Sequence, residues 1–153
     1  MFTNSLNDIL SRLTVWDPAL RAYSKQLTEK TSKPVVLCGD LNVAHKDNDI
    51  YNYYAKHMEK TAGCTMRERD NFGMLLDSGY MDALRHFHPH ARGQYTYWST
   101  RADNRPENKG LRIDYFVCSS TLFDGGANVV HDSYVAPKLT SCSDHCPIGL
   151  VII

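Results

Sequence analysis

Three short segments carry side chains able to do acid–base or phosphoryl chemistry at the ends of buried strands. The first is Gly39-Asp40-Leu41-Asn42, which follows the apolar run Lys33-Pro34-Val35-Val36-Leu37-Cys38. That run, bounded by Pro34 and Gly39, reads as a strand buried on both faces. In an extended chain residues i and i+2 point the same way, so Asp40 and Asn42 would face one site. A carboxylate can orient or deprotonate a water, and an amide can donate to a phosphate oxygen. The other common use of Asp and Asn at such a turn is to bond their own backbone. The second segment is Leu111-Arg112-Ile113-Asp114-Tyr115-Phe116-Val117, where alternation sets Asp114 beside Phe116 and demands a partner for a buried acid. The third, Ser143-Asp144-His145-Cys146-Pro147, is a turn leading into the last strand. If His145 meets Asp114, the carboxylate fixes the imidazole tautomer and leaves the second ring nitrogen for a phosphoryl oxygen. Asp144 is then left for a hard cation such as magnesium. A polar turn on the rim of a sheet is the plainer account of Asp144 and His145.

These segments need a scaffold, and the composition supplies an ordinary one. With 42% hydrophobic and 22% charged residues in 153, the chain falls in the range of one folded domain. The longest apolar stretch is Ile148-Gly149-Leu150-Val151-Ile152-Ile153, far short of the roughly 20 residues that span a membrane, so no membrane partner is expected. Residues 1–12 lack the basic stub and apolar core of a secretory signal, and five cysteines show no Cys-x-x-Cys pairing, so an intracellular, reducing setting is expected. Seventeen basic residues balance seventeen acidic ones, so the overall field makes no case for nucleic acid.

Asp17 as N-cap and Pro18 at the first helical position predict a helix to about residue 30. Thr65-Met66-Arg67-Glu68 is a capping box opening a helix to about residue 78. Strands are predicted over 94–98, 111–118, 128–135 and 147–153, giving α/β layers. Trp16 and Trp98 read as core or helix-packing aromatics. His86, His88 and His90 read as surface residues.

Taken together, the segments around Asp40, Asp114 and His145 resemble the Gly-Asp-Leu-Asn-Val, Arg-Leu-Asp-Tyr and Ser-Asp-His-Cys-Pro signatures of exonuclease III-like apurinic/apyrimidinic endonucleases. Tyr95-Thr96-Tyr97-Trp98 and residues 65–76 are similar to further segments of that family, in the same order. The resemblance implies part of a four-layer α/β/β/α sandwich, with residues 1–153 forming the C-terminal portion, the second sheet and its helices. It implies a magnesium-dependent DNA phosphodiesterase of base-excision repair, manganese being a substitute. The substrate would be double-stranded DNA, nicked 5′ to an abasic site, with 3′-phosphodiesterase or 3′–5′ exonuclease action in addition. Asp40, Asn42, Asp114, His145 and Asn4 are the catalytic candidates, and Asp40, Asn42, Asp144 and His145 the metal ligands. Tyr97, Leu111 and Ile113 would line the pocket for the base-free sugar, and Arg101 would enter the duplex, with Arg105 and Lys109 near the phosphates. A solvated loop is the alternative for that basic stretch.

The departures from the family pattern carry their own expectations. No segment matches the family's metal-binding glutamate, and Thr61 stands where an asparagine supports the site. Leu111 and Ile113 replace a tryptophan and a leucine. A sheet lacking its partner would expose an apolar face, so self-association, or pairing with a missing N-terminal half, is expected. The alternative function is a non-catalytic half that binds DNA or a partner chain without cutting. Nuclear or mitochondrial placement follows from the family alone.

Overall fold

The computed structural model describes residues 6–125, 129–139 and 142–153. Helix α1 (Leu6–Ser11) runs through a wide π turn (Arg12–Trp16) into α2 (Asp17–Thr31). Strand β1 (Val36–Asp40) follows, then a long loop, α3 (Met66–Asp77), β2 (Tyr80–Asp82) and α4 (Ala83–Phe87). The chain closes with β3 (Asp114–Ser119), β4 (Val130–Val135) and β5 (Ile148–Ile152). The antiparallel order β1-β3-β2 makes one sheet, and β4 pairs with β5 in a second.

Alternation along β3 decides which layer lies on each side. Tyr115 and Val117 point to Phe72 and Leu75 of α3, with Leu37, Val43 and Tyr80 completing that core. Phe116 and Cys118 point the other way, onto Ala83, Leu122, Val130 and Leu150. The α/β layering expected from the sequence is therefore present, with α2 and α3 on one side of the first sheet. Helix α3 starts as anticipated: the Thr65 hydroxyl donates to Glu68 Oε2 at 2.6 Å, and the Glu68 amide donates back to Thr65 Oγ1 at 3.4 Å. Among the described residues no helix is long and apolar enough to cross a membrane.

Several expectations are corrected. Asp17 caps nothing, because Trp16 before it is already helical and the chain enters α2 from an existing helix. Pro18 lies in the first turn of α2, just after the wider turn closed by the Asp17 amide on the Arg12 carbonyl, and the Asn71 side chain donates to the Leu13 carbonyl at 3.4 Å. Trp16 is 61% exposed, whereas Trp98 is 2% exposed. Strand β1 is not buried on both faces: Val36, Cys38 and Asp40 are exposed, while Leu37 and Gly39 turn inward. Residues 94–98 form no regular strand, only single bridges from Tyr97 to Leu111 and to His145, and the regular part of the next segment begins at Asp114. Asn128 lies outside the described residues, and β4 begins at Val130.

Candidate active site

Antiparallel pairing of β1 with β3 sets Asp40 directly opposite Asp114 at the ends of the two strands. The third member arrives on a narrow strap. Tyr97 bridges Leu111 on one side and His145 on the other, the Trp98 amide donates to the Asp144 carbonyl at 2.9 Å, and the Cys146 amide donates to the Thr96 carbonyl at 2.9 Å. Thr96, fully buried, also accepts from the amides of Ile113 (3.0 Å) and Asp114 (3.1 Å) through its hydroxyl. One strap thus locks the start of β3 to the turn before β5. The result is a 2.8 Å bond between His145 Nδ1 and Asp114 Oδ2. Because a carboxylate accepts, the Nδ1 side carries the hydrogen and Nε2 remains for another partner. The Tyr97 ring lies 5.2 Å from the imidazole, centroid to centroid.

Asp40 is exposed, yet the protein around it strips part of its hydration and, with the Asp114 charge, raises its pKa. The Asn42 amide, His145 and Arg12 act in the opposite direction and do not prevail. A carboxylate with raised proton affinity next to an oriented imidazole can accept a proton from water while the ring faces an anionic oxygen. The alternation argument for Asn42 stops at the strand end. Asn42 has φ 51°, and its amide donates to Asp40 Oδ1 at 2.8 Å, so this carboxylate does bond its own backbone, as turn chemistry allows.

Asp144 faces an open depression with Thr100, Cys142 and Ser143. Among the described residues no three His, Cys, Asp or Glu side chains converge to hold a metal ion. His145 directs Nδ1 at Asp114, which leaves Nε2 as its second ring nitrogen. The oxygen donors at hand, carboxylate and amide, suit a hard cation in kind. Tyr97, Leu111 and Ile113 pack together with Ala44, Ile50 and Cys64, and the Tyr97 ring also adjoins His145. Arg101 is exposed in the turn Thr100–Ala102. Arg105 instead stacks over Trp98 at 4.7 Å and donates to the carbonyls of Ser143 (2.6 Å) and Pro137 (3.1 Å), while Lys109 pairs with Glu107. Asn4 lies outside the described residues.

Sequence reasoning missed the buried ionic group behind the site. Arg112, 1% exposed, bonds Asp49 through Nε (2.7 Å) and Nη2 (3.0 Å), and Asp82 through Nη1 (3.1 Å) and Nη2 (2.6 Å). Arg85 reaches Asp49 from α4. Burial pushes the Asp49 carboxyl up, but Arg112 and Arg85 outweigh it and hold the group below its ordinary value. Arg112 between Leu111 and Ile113 was the available signal, since a guanidinium in an apolar run requires carboxylates around it.

Comparison with known proteins matches residues 6–145 to the Endonuclease/Exonuclease/phosphatase family. The chain is 41% identical over 150 residues to the DNA-(apurinic or apyrimidinic site) endonuclease of Dictyostelium discoideum, covering 98% of this chain and 39% of that one. It is 42% identical over 137 residues to the exodeoxyribonuclease of Bacillus subtilis, covering 90% and 51% respectively. The crystal structure of the AP endonuclease LMAP from Leishmania major superposes with TM-score 0.82 at 35% identity, covering 94% of this chain and 44% of that chain. The chain thus spans about half the length, or less, of the curated relatives it matches.

Proposed function

The chain belongs to the endonuclease/exonuclease/phosphatase family, and from that premise we propose that it supplies the Asp40–Asp114–His145 side of a DNA phosphodiesterase site. Its relatives are named as a DNA-(apurinic or apyrimidinic site) endonuclease and an exodeoxyribonuclease. The reading for this chain is base-excision repair: hydrolysis of the backbone 5′ to an abasic site in duplex DNA, with 3′-phosphodiesterase or exonuclease action on 3′ ends. Such a substrate places it in a DNA-bearing compartment, the nucleus or mitochondrion in a eukaryotic cell.

The observation that carries the reading is the 2.8 Å bond between His145 and Asp114, with Asp40 paired across from Asp114. Asp114 fixes the imidazole and favours its cationic form, which donates from Nε2 to a phosphoryl oxygen and stabilises the charge that builds there. Asp40 accepts the proton of the attacking water, for which its raised proton affinity suits it. Asn42 donates to the phosphate, and Tyr97 offers an apolar wall beside His145 to a sugar without its base. Magnesium or manganese, when bound, would neutralise phosphate charge. Asp40, Asn42 and Asp144 are the oxygen donors this chain offers it, with His145 beside them.

The test is incision of a duplex oligonucleotide bearing one abasic-site analogue, with magnesium, by the chain and by Asp40→Ala. Loss of about 10²–10⁴ in rate with duplex affinity retained supports the reading. Binding without cleavage by a folded unsubstituted chain refutes it in favour of a DNA-binding half.

A further inference from the structure

The backbone from Asp40 to His45 is held from three directions. From the N-terminal helix, Arg12 Nη1 donates to the Asn42 carbonyl at 2.8 Å and Nη2 donates to the Leu41 carbonyl. From the sheet, the Tyr115 hydroxyl donates to the Val43 carbonyl at 2.6 Å and accepts from the His45 amide at 3.2 Å. Across the turn, Gly63 approaches so closely that a Cβ there would stand 2.9 Å from the Asn42 carbonyl oxygen. Asn42 occupies the left-handed region at φ 51°. A non-glycine residue stays in that region at a cost, and persists when its surroundings over-determine it.

Arg12 reaches this turn because of where the helix widens. The Asp17 amide bonds the Arg12 carbonyl, an i to i−5 closure that begins on Arg12 itself. Such π turns recur at functional sites. The guanidinium is 18% exposed and is steadied by Asp17, at 3.5 Å from Nε, while Asp17 in turn accepts from Asn71 Nδ2 at 2.8 Å. Its planar fork is preorganised to span two consecutive carbonyls, a geometry that the compact, rotating ammonium of a lysine does not hold.

We propose that Arg12 is a positioning residue of the active site: by bridging the Leu41 and Asn42 carbonyls it sets the left-handed backbone at Asn42, and with it the direction in which Asp40 and Asn42 face the Asp114–His145 pair. The inference rests on the phosphodiesterase reading for its catalytic consequence but not for its structural one. Arg12 touches no reacting atom and acts through the turn.

The experiment pairs amide hydrogen exchange with single-turnover kinetics on the full chain, unsubstituted, Arg12→Leu and Arg12→Lys. The Asn42 amide, bonded to Asp40 Oδ1 at 2.8 Å, is the reporter. In Arg12→Leu it should exchange at least about tenfold faster, while the amides of β1 and β3 keep their protection. The abasic-site cleavage rate should drop about 10–100-fold at unchanged KM, as a displaced turn misaligns the reacting groups. Arg12→Lys, which keeps the charge and folds if the leucine variant does not, should show the same selective pattern at smaller size. Uniform loss of protection across the sheet, or an unchanged Asn42 amide in both variants, overturns the inference. If the unsubstituted chain does not cleave, selective exchange at Asn42 still supports the positioning role, and the phosphodiesterase reading is what fails.

Discussion

Replacing Arg112 by methionine removes the centre of the buried ionic group while keeping much of the side-chain volume. Four hydrogen bonds to two carboxylates are lost at once, together with a guanidinium stacked 4.3 Å from the Tyr115 ring centroid. Asp49, with no exposed surface, keeps Arg85 as a cationic partner. Asp82, 5% exposed, keeps only the Arg85 backbone amide at 3.3 Å. Removing one member of a buried ion pair costs about 3–5 kcal/mol, because a carboxylate remains desolvated without its counter-charge. Against a total stability of about 5–15 kcal/mol this is a large share. With a urea slope of about 2 kcal/mol per M, the midpoint should fall by roughly 1.5–2.5 M at unchanged slope, read by circular dichroism. Adding Asp82→Asn to the variant should return part of the loss, because the stranded charge is gone. A loss below about 1 kcal/mol at unchanged slope, or no recovery in the double variant, would refute this account of the core.

Two further outcomes follow from the packing around the turn. His45, 8% exposed and 4.9 Å from the Phe72 ring, has its pKa driven down from 6.5 to about 4, by burial first and then by Lys46. The folded chain therefore resists a proton that the unfolded chain accepts, so stability should fall as pH drops from about 6.5 towards 4, by at most about 3 kcal/mol. Thermal melts across that window should show the slope and lose it in His45→Leu; an equal slope in both would remove His45 as the cause. Gly63 has φ 78°, and a side chain there meets the Asn42 carbonyl, so Gly63→Ala should cost more than about 1 kcal/mol in a urea titration. An unchanged midpoint would show that the loop yields freely.

The parts of the molecule legible in the sequence were those governed by local or periodic rules. Thr65 and Glu68 lie three residues apart and announce their helix, and alternation about Tyr115 sorts Asp114 from the core face. The pairing of Asp114 with His145 could be anticipated because a buried acid needs a partner and few polar residues border strands. What stayed hidden depends on residues distant in sequence. Asp49 and Asp82 meet at Arg112 across 63 and 30 positions, and no spacing rule connects them. The aromatic run at 94–98 has strand composition but serves as a strap, because its neighbours on either side, Leu111 and His145, each offer Tyr97 a single bridge. Nothing in its local sequence marks Arg12, because the π turn and the Leu41 and Asn42 carbonyls, about 30 positions away, meet only in space. Strand pairing and the strap position Asp40, Asp114 and His145, and Asp144 borders an open depression with Thr100, Cys142 and Ser143, a placement that residue types alone do not give.

The central claim is that Asp114 and His145 act as one unit on a DNA phosphodiester. A cycle of abasic-site incision rates for the unsubstituted chain, Asp114→Ala, His145→Ala and the double variant tests it most directly. If the pair works together, the double variant is no slower than His145→Ala alone, because Asp114 acts only through the imidazole. Losses that multiply, or cleavage that survives His145→Ala undiminished, would contradict the claim.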